Sequence, residues 1–257
     1  MAAETIRPYG KAMHLRQANY FVMPTWIHAL IATSAKCFAV AYRACTLSAT
    51  LCLVAFMIVE TPIPDGPDFN WWDMVGTIIP IFIMVQNCAT LMAIFIAIAL
   101  KWAIVGRRKP GNYDWDTSPY CQRWNVYLAS VYLIRGAYFG RGILEYLHGS
   151  AFLVWYFRAL GCKIGRDVCL YPTGADPMMT EPDLIVLGDE ACVDRASLVA
   201  HINSAGHFQL NKTSVGSRAT LRSDSRLLSG AAMLQRSTLL EHTLVMGGEV
   251  VDEGSTW

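Results

Sequence analysis

Eight apolar residues of this chain recur every six positions: Val215, Leu221, Leu227, Met233, Leu239, Val245, Val251 and Trp257. An α-helix repeats every 3.6 residues and a strand every two, so neither sustains that interval. A period of six is the signature of a hexapeptide repeat, in which three short strands form one triangular coil of a parallel β-helix. A second register supports the first. The residue four places on is small at Ala219, Ser225, Ala231, Ser237, Thr243 and Ser255, as the corners of a narrow prism require; Glu249 is the exception.

Upstream the same beat starts and slips. It begins at Ile164-Gly165 with Leu170, resumes at Leu187-Gly188 with Val193 and Val199, and runs unbroken from Val215-Gly216. Coils of 18 residues should start 18 apart, but Gly165, Gly188 and Gly216 are separated by 23 and 28. The first coil therefore carries about five extra residues and the second about ten, on or just after the third side of each. Insertions stacked at one edge are where solenoids commonly place binding. Pro172, Pro177 and Pro182 keep the first insertion out of regular strand pairing.

Composition matters for the other half of the chain. Hydrophobic residues make up 54% and charged residues 16%, against about 45–50% and about 25% in soluble domains. From Met74 to Leu100 no Asp, Glu, Lys or Arg occurs in 27 residues, enough to cross a hydrocarbon core of about 30 Å. A second apolar run, Ala44–Val59, reads as another span if Arg43 snorkels. The connection holds Glu60, Asp65, Asp68 and Asp73. Lys11, Arg16, Lys36 and Arg43 precede the pair, and Lys101, Arg107, Arg108 and Lys109 follow it. The positive-inside rule puts both ends in the cytoplasm, with Trp71 and Trp72 in an interfacial belt.

The expected organisation is an interfacial N-terminus and transmembrane hairpin over 1–110, with residues 1–37 as the lead-in. Amphipathic linker helices over 111–163 lie on the membrane or pack on the coils, and the β-helix fills 164–257. The chain reaches Trp257 at an inward position, with no capping element of the kind solenoid ends need, so the β-helix is expected to be truncated there or covered by another chain. Eight cysteines lack C-x-x-C or zinc spacing and read as reduced, buried thiols. A net charge of +1 gives no field for nucleic acid. P-loop, G-x-G-x-x-G and G-x-S-x-G motifs and metal-ligand clusters are all absent from the sequence.

His201 stands on the third side of the second coil, just before its insertion, while Glu181 and Asp183 come from the first insertion at the same edge. Coils stack about 4.8 Å apart, so imidazole and carboxylate can meet. The chemistry would be general-base catalysis, with a carboxylate fixing the tautomer. The alternative is an imidazole satisfied by backbone groups at a loop mouth. His207, inside the insertion, and His242, on a later coil, are weaker candidates. Asp194 either orients the edge or is an exposed strand charge. Arg222, Asp224 and Arg226 read as a solvated face, and Gln86 and Asn87 as bonds across the helix pair.

The stretches Trp155–Gly165, Thr180–Leu184, Leu187–Asp189, Ser197–Asn203, Leu228–Gly230 and Leu240–Met246 resemble the membrane-bound C-terminal region of nonribosomal peptide synthetase-like proteins of the ε-poly-L-lysine synthetase type. The resemblance implies transmembrane helices alternating with left-handed β-helix domains similar to hexapeptide acyltransferases. It further implies acyl or aminoacyl transfer from a pantetheine thioester, on a carrier protein or CoA, to an amine or hydroxyl, with His201 as base. No tightly bound cofactor or metal is expected. The implied partners are the bilayer, an upstream adenylation–thiolation module and further β-helix domains, in one chain or in a homo-oligomer. The competing reading is a non-catalytic scaffold that docks partners at the membrane. A transporter is disfavoured by the presence of only two spans.

Overall fold

The computed structural model describes residues 24–60, 71–114, 118–131, 143–174, 178–204 and 207–257. Two long helices come first, α1 (Thr25–Glu60) and α2 (Trp71–Ile104). Within them Trp26–Phe56 and Val75–Ile104 are long and apolar enough to cross a membrane, with mean hydropathies of 1.6 and 2.2. The expected division into a lead-in and a span beginning at Ala44 is not found. No Gly or Pro interrupts residues 25–60, so the helix propagates through the lead-in. The acidic connection over 61–70 and residues 1–23 lie outside the described residues.

Small residues let the two helices approach: Ala39, Ala93 and Ala97 are each 1% exposed. Tyr42 OH donates to the Ala89 carbonyl at 2.7 Å. Gln86 Nε2 reaches Thr50 Oγ1 at 3.4 Å, the cross-helix bond expected of it, whereas Asn87 donates to Ile83 O of its own helix.

Parallel strands follow, and the chain passes through three sheets in rotation. The first stacks Lys163–Ile164, Ile185–Leu187, Thr213–Val215, Ala232–Met233 and Val250–Val251. The second stacks Cys169–Leu170, Cys192–Val193, Thr220–Leu221 and Thr238–Leu239. The third stacks Met178–Met179, Ser197–Leu198, Arg226–Leu227 and Leu244–Val245. Seven of the eight repeat residues point inward and are 0–2% exposed, whereas Trp257 is 42% exposed.

The six-residue beat also appears in the backbone. Arg218, Asp224, Arg236 and His242 have φ between 58° and 61°, and Gly230, Gly248 and Gly254 continue the series with positive φ. At the corners Ser225, Ser237 and Ser255 each donate a hydroxyl to the carbonyl three residues back at 2.7 Å. Glu249, lacking a small side chain, turns outward, and its carboxylate accepts the Met246 N–H at 2.7 Å. The glycines marking coil starts are required by close stacking: a Cβ on Gly188 would stand 2.5 Å from Ser217 N, and one on Gly216 2.6 Å from Leu234 C.

The slips fall somewhat differently from the expectation. Register pairs Leu198, not Val199, with Leu227. Val199 is therefore not the inward residue. In the first coil, Leu170 to Met179 spans nine residues and Met179 to Leu187 eight, so the extra length straddles the third side. In the second coil it comes wholly after the third side, where it forms an antiparallel hairpin, β2 (His201–Ser204) with β3 (His207–Leu210). A strand from the linker, β1 (Gly111–Asp114), adds to the outer edge of β3.

Two short helices flank that edge. α3 (Pro119–Ser130) starts with Pro119 at its first turn and Ser118 accepting the Tyr120 N–H at 3.2 Å. α4 (Ala151–Ala159) buries Leu153, Val154, Tyr156 and Phe157. Its Arg158 Nη2 donates to Ile164 O and Gly165 O at 3.0 and 2.5 Å, and Ala159 O accepts Trp102 Nε1–H of α2 at 2.8 Å. The linker helices are thus wedged between the long helices and the coils. Of the eight cysteines only Cys121 and Cys162 are buried; Cys37, Cys45, Cys52 and Cys88 face outward on the apolar helices. That corrects the expectation of buried thiols throughout.

Candidate active site

The first insertion re-enters the coil through a single 3-10 turn, Pro182–Leu184, with Glu181 just before it. Glu181 is 0% exposed. Its Oε1 lies 2.9 Å from His201 Nδ1, and its Oε2 accepts the Thr180 hydroxyl. With an ionised carboxylate, which only accepts, this contact assigns the ring proton to Nδ1. Among the described residues both hydrogen-bonding contacts of the ring, to Glu181 and a 3.5 Å approach by Thr180, are at Nδ1.

Aromatic rings fix the imidazole plane. Phe208 of β3 stacks on it at 5.1 Å between centroids and 18° between planes, and Trp124 of α3 meets it edge-on at 5.7 Å. Phe208 is fully buried. Neither ring featured in the sequence reading. The alternation His207-Phe208-Gln209-Leu210, with apolar residues buried and the others not, is the signal that would have exposed Phe208. Trp124 gives no such signal, because its approach depends on how α3 docks.

His201 also lines a cavity of about 230 Å³ between the coils, α3 and α4. Trp124, Tyr127, Leu128, Tyr156, Leu160 and Met179 supply much of its wall, with Thr180 and Pro182 beside the imidazole.

Asp183 does not join His201. Its Oδ2 sits 3.2 Å from Lys101 Nζ and accepts the Arg108 N–H at 2.6 Å, while Oδ1 meets Arg108 Nη1 at 2.8 Å. All three side chains are 0% exposed. Arg108 Nε continues the network to Tyr120 OH at 3.1 Å. Burial alone would raise the Asp183 carboxyl, but Arg108 and Lys101 hold it below the ordinary carboxylate range. Burial opposes the Arg108 charge too, yet Tyr120 and Asp183 keep the guanidinium above its usual value. Gly161 makes room: a Cβ there would lie 2.9 Å from Asp183 Cβ. Lys101 and Arg108, counted from the sequence among the basic residues that follow the second span, are buried in this cluster.

The other candidates are elsewhere. His207 is exposed near the hairpin tip, opposite Asp114 and Ser204 in register. His242 occupies a corner turn with φ 61°. Asp194 accepts from the Thr173 N–H and hydroxyl, tying the two insertion-bearing coils together. Arg222 pairs with Glu241 at 2.9 Å on the exposed face.

No protein-family model matches the chain. A stretch of 168 residues, 63% of the chain, is 29% identical to Delta-poly-L-ornithine synthetase of Acinetobacter baumannii (strain AB307-0294). The chain is a distant homologue of that synthetase and spans 12% of its length. Among solved structures it is similar to a maltose O-acetyltransferase from Clostridium difficile 630, with a TM-score of 0.35 and 10% identity over 61% of this chain and 90% of that one. Serine acetyltransferase isoform 3 from Entamoeba histolytica gives 0.26 and 9% over 68% and 63%. At those scores the two structures add no argument about the site, which stands on its own geometry.

Proposed function

We propose that this chain is a membrane-anchored acyltransferase-like module whose coils wind as a left-handed β-helix and whose reactive pair is Glu181–His201. One observation carries the reading: a buried carboxylate holds Nδ1 of an imidazole that lines a cavity. In the reaction an acceptor amine or hydroxyl gives its proton to Nε2 as its heteroatom attacks a thioester carbonyl. The tetrahedral intermediate collapses, the C–S bond breaks, and the thiolate leaves with the proton returned by the imidazolium. Glu181 fixes the tautomer and stabilises the transient cation. The donor in this reading is a pantetheine thioester on a carrier protein or CoA, as the resemblance carried by Trp155–Gly165 and Ser197–Asn203 implies. An imidazole far from any carboxylate and facing no cleft would have favoured the scaffold reading; the 2.9 Å contact and the cavity favour transfer.

α1 and α2 anchor the module. They expose Leu30, Phe38, Leu51, Phe82 and Phe95 among many apolar side chains, a surface suited to lipid. Exposed Arg107 and Lys109 keep the positive-inside argument for a cytoplasmic site.

The test is thiol release and product mass from acyl-CoA and amine mixtures, with the full chain in lipid nanodiscs. Acceptor-dependent release that falls roughly 10²–10⁴-fold in His201→Ala supports transfer. Equal rates in wild type and variant would sink it.

A further inference from the structure

The cavity beside His201 says what kind of group is carried there. Leu128, Val131, Leu144, Phe157, Leu160 and Met179 line it, with aromatic faces of Trp124, Tyr127 and Tyr156. Among the described residues no lining side chain bears a permanent charge. The nearby ions are engaged elsewhere: Glu181 by His201 and Thr180, and Asp183 by Lys101 and Arg108. An ammonium seated in this wall would lose its hydration with no carboxylate to replace it, which is costly. An aliphatic chain loses only unfavourable contact with water.

Resting on the acyl-transfer reading above, we infer that this cavity binds an uncharged aliphatic chain whose reactive end lies at His201. At about 230 Å³ it exceeds the roughly 150 Å³ cavity that accepts benzene, so a chain of about six to eight carbons fits. The chain belongs to the acyl group or to the acceptor; the chemistry of recognition is the same.

The experiment measures binding by equilibrium dialysis against the full chain in lipid nanodiscs, with empty nanodiscs correcting for partition. Donor probes are acetyl-, hexanoyl- and 6-aminohexanoyl-pantetheine; acceptor probes are ethylamine and hexylamine. Burial is worth about fourfold in affinity per methylene, so over four methylenes hexanoyl should bind roughly 250-fold more tightly than acetyl, or hexylamine than ethylamine. The arm showing the length dependence names the source of the chain. Hexanoyl should also exceed 6-aminohexanoyl at least tenfold. Leu128→Asp, at a residue 38% exposed and so tolerant of change, should narrow or reverse that last preference. Equal affinity for short and long chains in both arms, or for charged and neutral ones, overturns the inference, as does no binding at all. Binding needs no turnover, so the two readings separate. Length-selective binding without transfer leaves the cavity assignment and removes the function; His201-dependent transfer without chain selectivity does the reverse.

Discussion

Glu181 and Asp183 are two acidic residues on one short turn, both removed from solvent, and the fold gives them opposite work. Glu181 faces an imidazole, a partner able to gain and lose a proton, at the wall of a cavity. Asp183 faces Lys101 and Arg108 at 3.2 and 2.8 Å, with all three side chains buried. The difference lies in the partners and not in the carboxylates. An imidazole at a cavity wall makes a reactive pair, whereas two buried basic side chains make an anchor binding the end of α2 to the coil that carries Glu181. Buried, doubly paired charges are poor catalysts but strong constraints, because removing one leaves the others uncompensated.

Substitutions can break that contrast. The largest effect is expected at His201: His201→Ala should cut turnover roughly 10²–10⁴-fold while circular dichroism still shows a folded chain. Asp183→Ala should act on stability instead, costing about 3–5 kcal/mol in denaturation because Lys101 and Arg108 are stranded; a wild-type melting profile would contradict the anchor. Glu181→Gln should lower turnover by about a hundredfold, since an amide accommodates either imidazole tautomer, and should lose more turnover per folded molecule than Asp183→Asn. If Asp183→Asn proves the more damaging to turnover, the two roles have been exchanged.

Smaller effects sharpen the same comparison. The Asp183 carboxyl is held below its ordinary range by Arg108 and Lys101. Its stabilisation is therefore complete above the unfolded carboxylate pKa of about 3.9 and is lost as pH falls through the lower folded value. Acid unfolding curves should show this loss in wild type and less of it in Asp183→Ala. The exposed pair Arg218–Glu190, at 2.9 Å, is the control. Arg218→Ala should leave the denaturation profile close to that of wild type, and a loss equal to that of Asp183→Ala would mean that burial does not set the value of these pairs.

The sequence made the coils legible because a narrow prism tolerates only apolar residues inside and small ones at its corners. Where a corner changed length the beat lost its phase. Val199 looked like the inward residue, but one residue fewer before the third side puts Leu198 there. The edge holding His201 and the acidic residues was visible from the slips alone. Which carboxylate meets the imidazole was not, since Glu181 and Asp183 are two apart and the turn between them decides. Lys101 and Arg108 read as membrane-flanking charges because nothing local marks a cation destined for burial; only the approach of Asp183 across 82 and 75 residues does so. β1 was equally silent, a four-residue strand of Gly-Asn-Tyr-Asp whose pairing comes entirely from β3.

The most direct test is a double-mutant cycle on turnover with His201→Ala, Glu181→Gln and the two combined, in the full chain. Groups that act as one unit are strongly non-additive. The double variant is therefore predicted to be no slower than His201→Ala alone. Losses that multiply, or a His201→Ala variant as active as wild type, would contradict the claim that Glu181 and His201 form the reactive pair.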